Sequence, residues 1–304
     1  MRIIAAFAAL LAIVLPTSTH GQVIGEIGTR AEGMGGAFVA VADDATAVYW
    51  NPAGIATGGV FDFQVSVARG STVFVGMALP VLGLSYYRVH QTARLPTVSP
   101  LPDRENEGSG QVPIRTLTTS NIGLTFVQTL VPGLVIGTTA RVVTGGVELA
   151  EGRTTFDLDA GAMVSAWDLR FGLVARNLRE PEFETESGSM TVKRQFRIGA
   201  ALAPRSAASG VHGPFSPAVD ADLTTTPGAF GLRRVAAVGG EYWLARGRVG
   251  VRGGVRWSTL GDSNRSLSGG ASVKLPKSAY VEGQLTKADE SDEKQWNIGV
   301  GISF

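Results

Sequence analysis

The sequence predicts an all-β protein: a transmembrane antiparallel β-barrel of about 14 strands with an N-terminal plug, or hatch, segment. Three observations carry that prediction. Long stretches alternate large apolar residues with polar residues or glycine. An apolar leader opens the chain, and no later apolar run is long enough to cross a bilayer as a helix. Turn residues recur throughout, with no helical block after residue 56.

Composition narrows the function classes. Charged residues make up 17% of the chain, below the roughly 25% of soluble domains. There are 40 glycines in 304 residues, about twice the usual roughly 7%. A net charge of +1 gives no field for nucleic acid, and none is expected as a partner. The absence of cysteine excludes disulfides, thiolate metal sites, a thiol nucleophile and a lipid-anchored N-terminal Cys. Of three histidines, one lies in the leader; His90 and His212 fall at opposite ends of the expected barrel. No catalytic residue, metal ligand or cofactor is therefore expected.

The first residues read as a secretory signal over 1–21. Arg2 is the charged start, Ile3 to Leu15 the apolar run, and Gly21 a small residue suited to cleavage. Residues 22–58 then form the plug and 59–304 the barrel. An exported chain with no spanning helix is either soluble or an outer-membrane barrel, and strand length decides. Soluble strands average about 5–6 residues. The alternating segments here run to about 9–12, the length a tilted strand needs to cross a membrane.

The clearest segment is the last, Trp296 to Phe304, where every even position is large and apolar and every odd one is polar or glycine. Phe61, Phe63, Val65 and Val67 alternate with Asp62, Gln64, Ser66 and Ala68. Val249, Val251, Val255 and Trp257 alternate with Gly250, Arg252, Gly254 and Arg256. The expected strands cover 60–69, 72–79, 83–91, 113–130, 134–147, 154–167, 169–178, 191–203, 216–225, 232–244, 248–258, 265–275, 278–287 and 294–304. Splitting 72–91 at Leu79 to Gly83 keeps the number even, as single-chain bacterial barrels require. Long connectors (92–112, 148–153, 179–190, 226–231, 259–264, 287–294) then fall at the outer end and short turns at the inner end. Connector 204–215 is the exception. Tyr86, Tyr87, Trp243 and Trp257 are expected in the aromatic belts at the membrane surfaces.

Residues 28–56 do not alternate. They hold a glycine cluster (Gly33, Gly35, Gly36), an acidic pair (Asp43, Asp44) and an Asn51-Pro52-Ala53-Gly54 turn. Asp43 or Asp44 is expected to cap a short helix through Tyr49 or Trp50, which Pro52 ends while opening another short turn. The acidic pair lacks the further oxygen ligands of a cation loop. Gly33-x-Gly-Gly lacks the Lys-Ser/Thr of a phosphate loop.

This stretch resembles the N-terminal signature of the FadL/TodX-like and PorV/PorQ-like outer-membrane barrels. The match is Gly33-Met-Gly-Gly-Ala-Phe-Val-Ala, then Asp43-Asp-Ala, then Tyr49-Trp50, then Asn51-Pro-Ala-Gly54. The resemblance implies a bacterial outer-membrane protein with its N-terminal segment lodged in the barrel. It implies passive transport or binding of small hydrophobic compounds, of fatty-acid or aromatic-hydrocarbon type. Its other branch implies a non-transporting scaffold that partners a secreted protein. Outer-membrane lipid is the surrounding partner, and the barrel-assembly machinery would engage the final strand ending in Phe304. The plug residues would be Gly33, Gly35, Gly36, Asp43, Asp44, Asn51, Pro52 and Gly54, with the glycines as hinge and the acidic pair tied to lumen bases.

Strand phase also yields a lumen charge set: Arg141, Asp157, Asp159, Arg197, Asp220, Asp222, Glu241, Arg252, Arg256 and Glu282. A pore selective for one sign shows a ring of one charge. This mixed set points instead to an ion-pair network that fills the barrel and holds the plug.

Overall fold

A computed structural model describes residues 27–94, 114–147, 152–185, 188–202, 215–228, 231–245, 247–260, 264–289 and 294–304. The expected signal peptide lies outside them, as do most of loop 92–112 and connector 204–215.

Two short helices come first, α1 (Thr29–Gly33) and α2 (Ala47–Trp50), followed by a 3-10 turn at Pro52–Thr57. The strands are β1 (Asp62–Ala68), β2 (Thr72–Leu79), β3 (Leu82–Arg94), β4 (Ile114–Val131), β5 (Leu134–Val147), β6 (Arg153–Ala166), β7 (Leu169–Arg176), β8 (Glu182–Thr185), β9 (Gly188–Thr191), β10 (Gln195–Leu202), β11 (Phe215–Asp222), β12 (Thr226–Gly228), β13 (Gly231–Arg233), β14 (Val235–Leu244), β15 (Val249–Ser258), β16 (Arg265–Lys274), β17 (Ala279–Ala288) and β18 (Lys294–Ser303). Fourteen of them close into one antiparallel barrel in chain order. β8–β9 and β12–β13 stand apart as two-stranded hairpins. The sequence places most of these residues in the connectors 179–190 and 226–231, with only Thr191 and 232–233 in the strands expected over 191–203 and 232–244.

The seam closes where β18 pairs with β1, Asp62 opposite Ser303 through Ala68 opposite Asn297. Beyond it, the Phe61 and Phe304 backbones exchange hydrogen bonds of 2.9 and 3.0 Å. Their rings stack at 5.1 Å. That end of the barrel, with the C-terminus, is the near end. Three turns there have two residues each, 80–81, 132–133 and 167–168; the β10–β11 connection, 203–214, is the long one at this end. The hairpins both arise at the far end, in the β7–β10 and β11–β14 connections. The wall is taller on one side: β3 to β6 have 13, 18, 14 and 14 residues, whereas β7 and β10 have 8 each.

Period-2 geometry sends alternate side chains in and out. Ile122, Phe126, Phe171, Val219, Leu267 and Leu285 point outward, each about half exposed or more. Outward apolar residues recur on the barrel strands from end to end of the chain, far more than a water-soluble surface tolerates. The wall is therefore one that faces lipid. Inward positions carry Asp62, Gln64, Asn121, Arg141, Asp157, Arg197, Glu241 and Glu282, all buried. Tyr87 and Trp243 also point inward, contrary to the belt expectation. Tyr87 is buried with its hydroxyl accepting from Arg141 Nη1 at 2.8 Å. Trp243 Nε1 donates to Glu241 at 2.8 Å.

Candidate functional site: the segment inside the barrel

Residues 27–58 fold within the ring of strands, and their apolar side chains form the main core. Ile27, Met34, Phe38, Val48, Trp50, Ala53 and Ile55 are essentially without solvent exposure. Fully burying a side chain the size of Phe or Leu stabilises by about 1.5–3 kcal/mol. Phe38, Trp50 and Tyr49 pack edge to face in sequence, and Tyr49 continues onto Tyr87 of the wall. Trp50 Nε1 donates to the Ile27 carbonyl at 2.7 Å, closing the segment on itself.

The glycines do two different things here. Gly35 and Gly36 have φ of 68° and 83°, the left-handed region needed to turn the chain after α1. Gly33 and Gly54 are sites of close approach instead. A Cβ on Gly33 would lie 2.8 Å from Arg252 Cδ, and one on Gly54 would overlap the Ala42 carbonyl. The wall answers with its own inward glycines. A Cβ at Gly172 would lie 2.5 Å from the Val39 carbonyl oxygen. At Gly137 it would meet Pro52 and Ala53, at Gly161 Asn51, and at Gly239 and Gly254 Met34. The high glycine content thus serves a backbone-to-backbone fit between wall and segment.

Polar side chains fix that fit. Arg30 of α1 is the hub: it contacts Asp43 and Asp44 (3.2 Å) in its own segment and Glu241 of β14 (2.9 Å). Burial disfavours its charge, but Asp43, Glu241 and Asp44 outweigh burial and hold the guanidinium more firmly protonated than usual. Burial pushes the Asp44 carboxyl upward from its ordinary range; Arg30 opposes the shift without cancelling it. The chain therefore continues from Arg30 through Glu241 to Arg252 (3.5 Å) and on to Glu282 (3.3 Å). Gln64 and Ser272 also bond Glu282.

Both members of the acidic pair bond Arg30, a residue of the segment that sequence reading does not single out, and Arg30 also bonds Glu241 on the wall. Nor does either aspartate cap α2, which has no side-chain cap. Asp44 bonds the Thr46 backbone N–H (2.9 Å) and hydroxyl just before it. Asn51 does cap the 3-10 turn, accepting from Ala53 N, with Pro52 at its start. The Asn51 amide donates to the carbonyls of Val39 (3.0 Å) and Ala162 on β6 (3.2 Å).

Other wall residues hold the segment directly. Asp220 accepts from the backbone N–H groups of Phe38 and Val39, both at 2.8 Å. Asp62 accepts from Ala45 N at 2.8 Å, and Thr29 donates to Asn297 at 2.9 Å. Arg176 lies over the Tyr49 ring at 4.3 Å.

Toward the far end the wall pairs with itself. Arg141 contacts Asp157, Asp159 (2.9 Å) and Asn121 (3.0 Å). Arg197 contacts Asp222 at 2.6 Å. Arg256 is only half-buried, 3.4 Å from Ser266.

A closed fourteen-strand barrel of this shape is the fold of the FadL-like outer-membrane channels. Three solved structures illustrate the likeness. The CymD monoaromatic hydrocarbon channel superposes with a TM-score of 0.64 at 13% identity, over 91% of this chain and 97% of that one. The Ralstonia pickettii toluene transporter TbuX gives 0.62 at 13%, over 91% and 98%. A Pseudomonas aeruginosa FadL homologue gives 0.64 at 10%, over 91% and 97%. At these identities the likeness is one of fold. Residues 148–222 match a family model described as the F plasmid transfer operon TraF protein. No curated protein matches the sequence.

Proposed function

We propose that this chain is a bacterial outer-membrane barrel that binds small hydrophobic compounds and lets them pass inward. The far end faces outside and the near end the periplasm. The observation that carries this reading is a segment outside the strand ladders, residues 27–58, seated in the lumen of a barrel whose solved fold-mates are hydrocarbon channels. The polar hub at Arg30 and the wall aspartates hold the segment across the path, and its displacement admits the ligand.

A scaffold for a secreted protein is the second reading, and the close packing of Ile27, Phe38 and Trp50 favours it. A lumen that never opens needs no separable segment.

Reconstituted liposomes separate the two. Wild type should take up toluene and a deletion of residues 23–56 should take it up faster, both with the barrel folded by heat-modifiable gel mobility. No uptake by either folded protein would refute transport.

A further inference from the structure

Cations gather on the outward face of the wall at the far end. Lys287 of β17 and Lys294 of β18 are direct partners across their ladder. Both are exposed, and both share the outward phase of Leu285 and Trp296. Arg265, also exposed, begins β16 two residues before Leu267, the partner of Lys287. Arg69, just past β1, donates from Nη1 to the Lys294 carbonyl at 3.1 Å. Like charges directly opposite on one sheet face repel. A lone lysine at a barrel rim reaches water and needs no further reason. Two that face each other between arginines call for a shared anion. Among the described residues, no carboxylate lies within ion-pair distance of Lys287, Lys294 or Arg265. Asp289 bonds the Arg265 carbonyl only through its backbone N–H, at 2.9 Å. Glu290, Asp292 and Glu293, which follow it, lie outside the described residues.

Toward the middle of the wall, below these cations, the outward surface is bare. Gly253 of β15 pairs with Gly269 of β16, and Ala271 beside it pairs with Gly283 of β17. The inward glycines make room for the segment; these do not. A Cβ on Gly253, Gly269 or Gly283 would have its nearest neighbour, a backbone oxygen, at 3.8, 3.9 and 4.0 Å. Nothing in the chain asks these positions to be empty. They leave a shallow trough between the outward side chains of Val251, Leu267, Leu285 and Ile298, all exposed.

We propose that this patch binds a phosphorylated glycolipid of the outer leaflet, with phosphate on Lys287, Lys294 and Arg265 and an acyl chain along the glycine trough. The inference rests on the reading above that the far end faces outside; it does not need the barrel to transport. Phosphate oxygens take charge-assisted hydrogen bonds from ammonium and guanidinium groups. Basic residues at a membrane surface draw anionic headgroups. The order of the two features selects the ligand: anion toward the far end, apolar chain toward the middle of the wall. A lipid standing in the leaflet at the far end has that order.

The test measures binding of bis-phosphorylated lipid A to the folded, detergent-purified barrel by native mass spectrometry. Lys287→Gln with Lys294→Gln should bind about tenfold more weakly than wild type. Gly269→Val, which fills the trough, should bind several-fold more weakly with unchanged heat-modifiable mobility. Arg248→Gln removes an exposed charge at the near end and should bind as wild type does. Lipid A stripped of its phosphates should bind wild type no better than the double variant binds the intact lipid. Wild-type binding by the double variant, an equal loss in Arg248→Gln, or equal binding of the stripped lipid would overturn the site. Displacement by an equal concentration of inorganic phosphate would overturn a lipid as its occupant. Orientation is tested separately, in a chain with no other cysteine, by a membrane-impermeant maleimide on whole cells. It should label Asp289→Cys and spare Lys277→Cys. The reverse pattern would refute the orientation, and the glycolipid with it, whatever binds in detergent. Failure of toluene uptake alters none of these results.

Discussion

Arg30 shows how one residue can join two bodies. It carries one charge and faces three carboxylates, two in its own segment and one on the wall. Removing one partner of a buried ionic cluster typically costs about 3–5 kcal/mol, because the remaining charges stay buried and uncompensated. Arg30→Ala should therefore loosen the segment by about that much while the strand ladders persist. Hydrogen exchange read out by peptide should show protection lost across residues 28–50 and kept in β14 and β15. Combining it with Glu241→Gln should cost less than the two changes added, since the pair shares one interaction. The charged wall residues were legible in the sequence because alternation assigns each a face. Arg30 was not, because it lies in the one stretch without a period. Tyr87 and Trp243 misled for another reason: an amphipathic aromatic suits both a membrane surface and an interior with hydrogen-bond partners, and only the fold supplies Arg141 and Glu241.

At the scale of elements, the fit between segment and wall depends on inward glycines in the middle of strands. A side chain at Gly239 would overlap Met34, and one at Gly254 would overlap the Met34–Gly35 peptide. Gly239→Val offers β14 a better strand former and denies the segment its place. The barrel should still show heat-modifiable mobility, while limited trypsin cleaves at Arg30, a site wild type protects. Retained protection would mean that the segment relaxes around the new side chain. The barrel strands were readable because each holds a long alternating run. β8, β9, β12 and β13 have only 4, 4, 3 and 3 residues, too short for a period to be seen. The glycine excess was visible as a number, but its meaning needed the partner surface that each glycine faces.

For the whole molecule, the even strand number and the chain-order pairing follow from closing alternating hairpins around a filled centre. The wall could be read from the sequence because lipid imposes a strict period upon it; the contents of the lumen could not, because packing inside is set by contacts far apart in the chain. Transport through this barrel requires the segment to give way when a ligand passes. The direct measurement is toluene uptake into liposomes by a variant carrying Thr29→Cys and Gly299→Cys. The Thr29 hydroxyl lies 2.8 Å from where a Cβ at position 299 would stand, so a disulfide there would pin α1 to β18 in a chain with no other cysteine. Uptake should stop when the bridge is oxidised and return on reduction. Undiminished uptake through the oxidised, folded barrel would contradict the account.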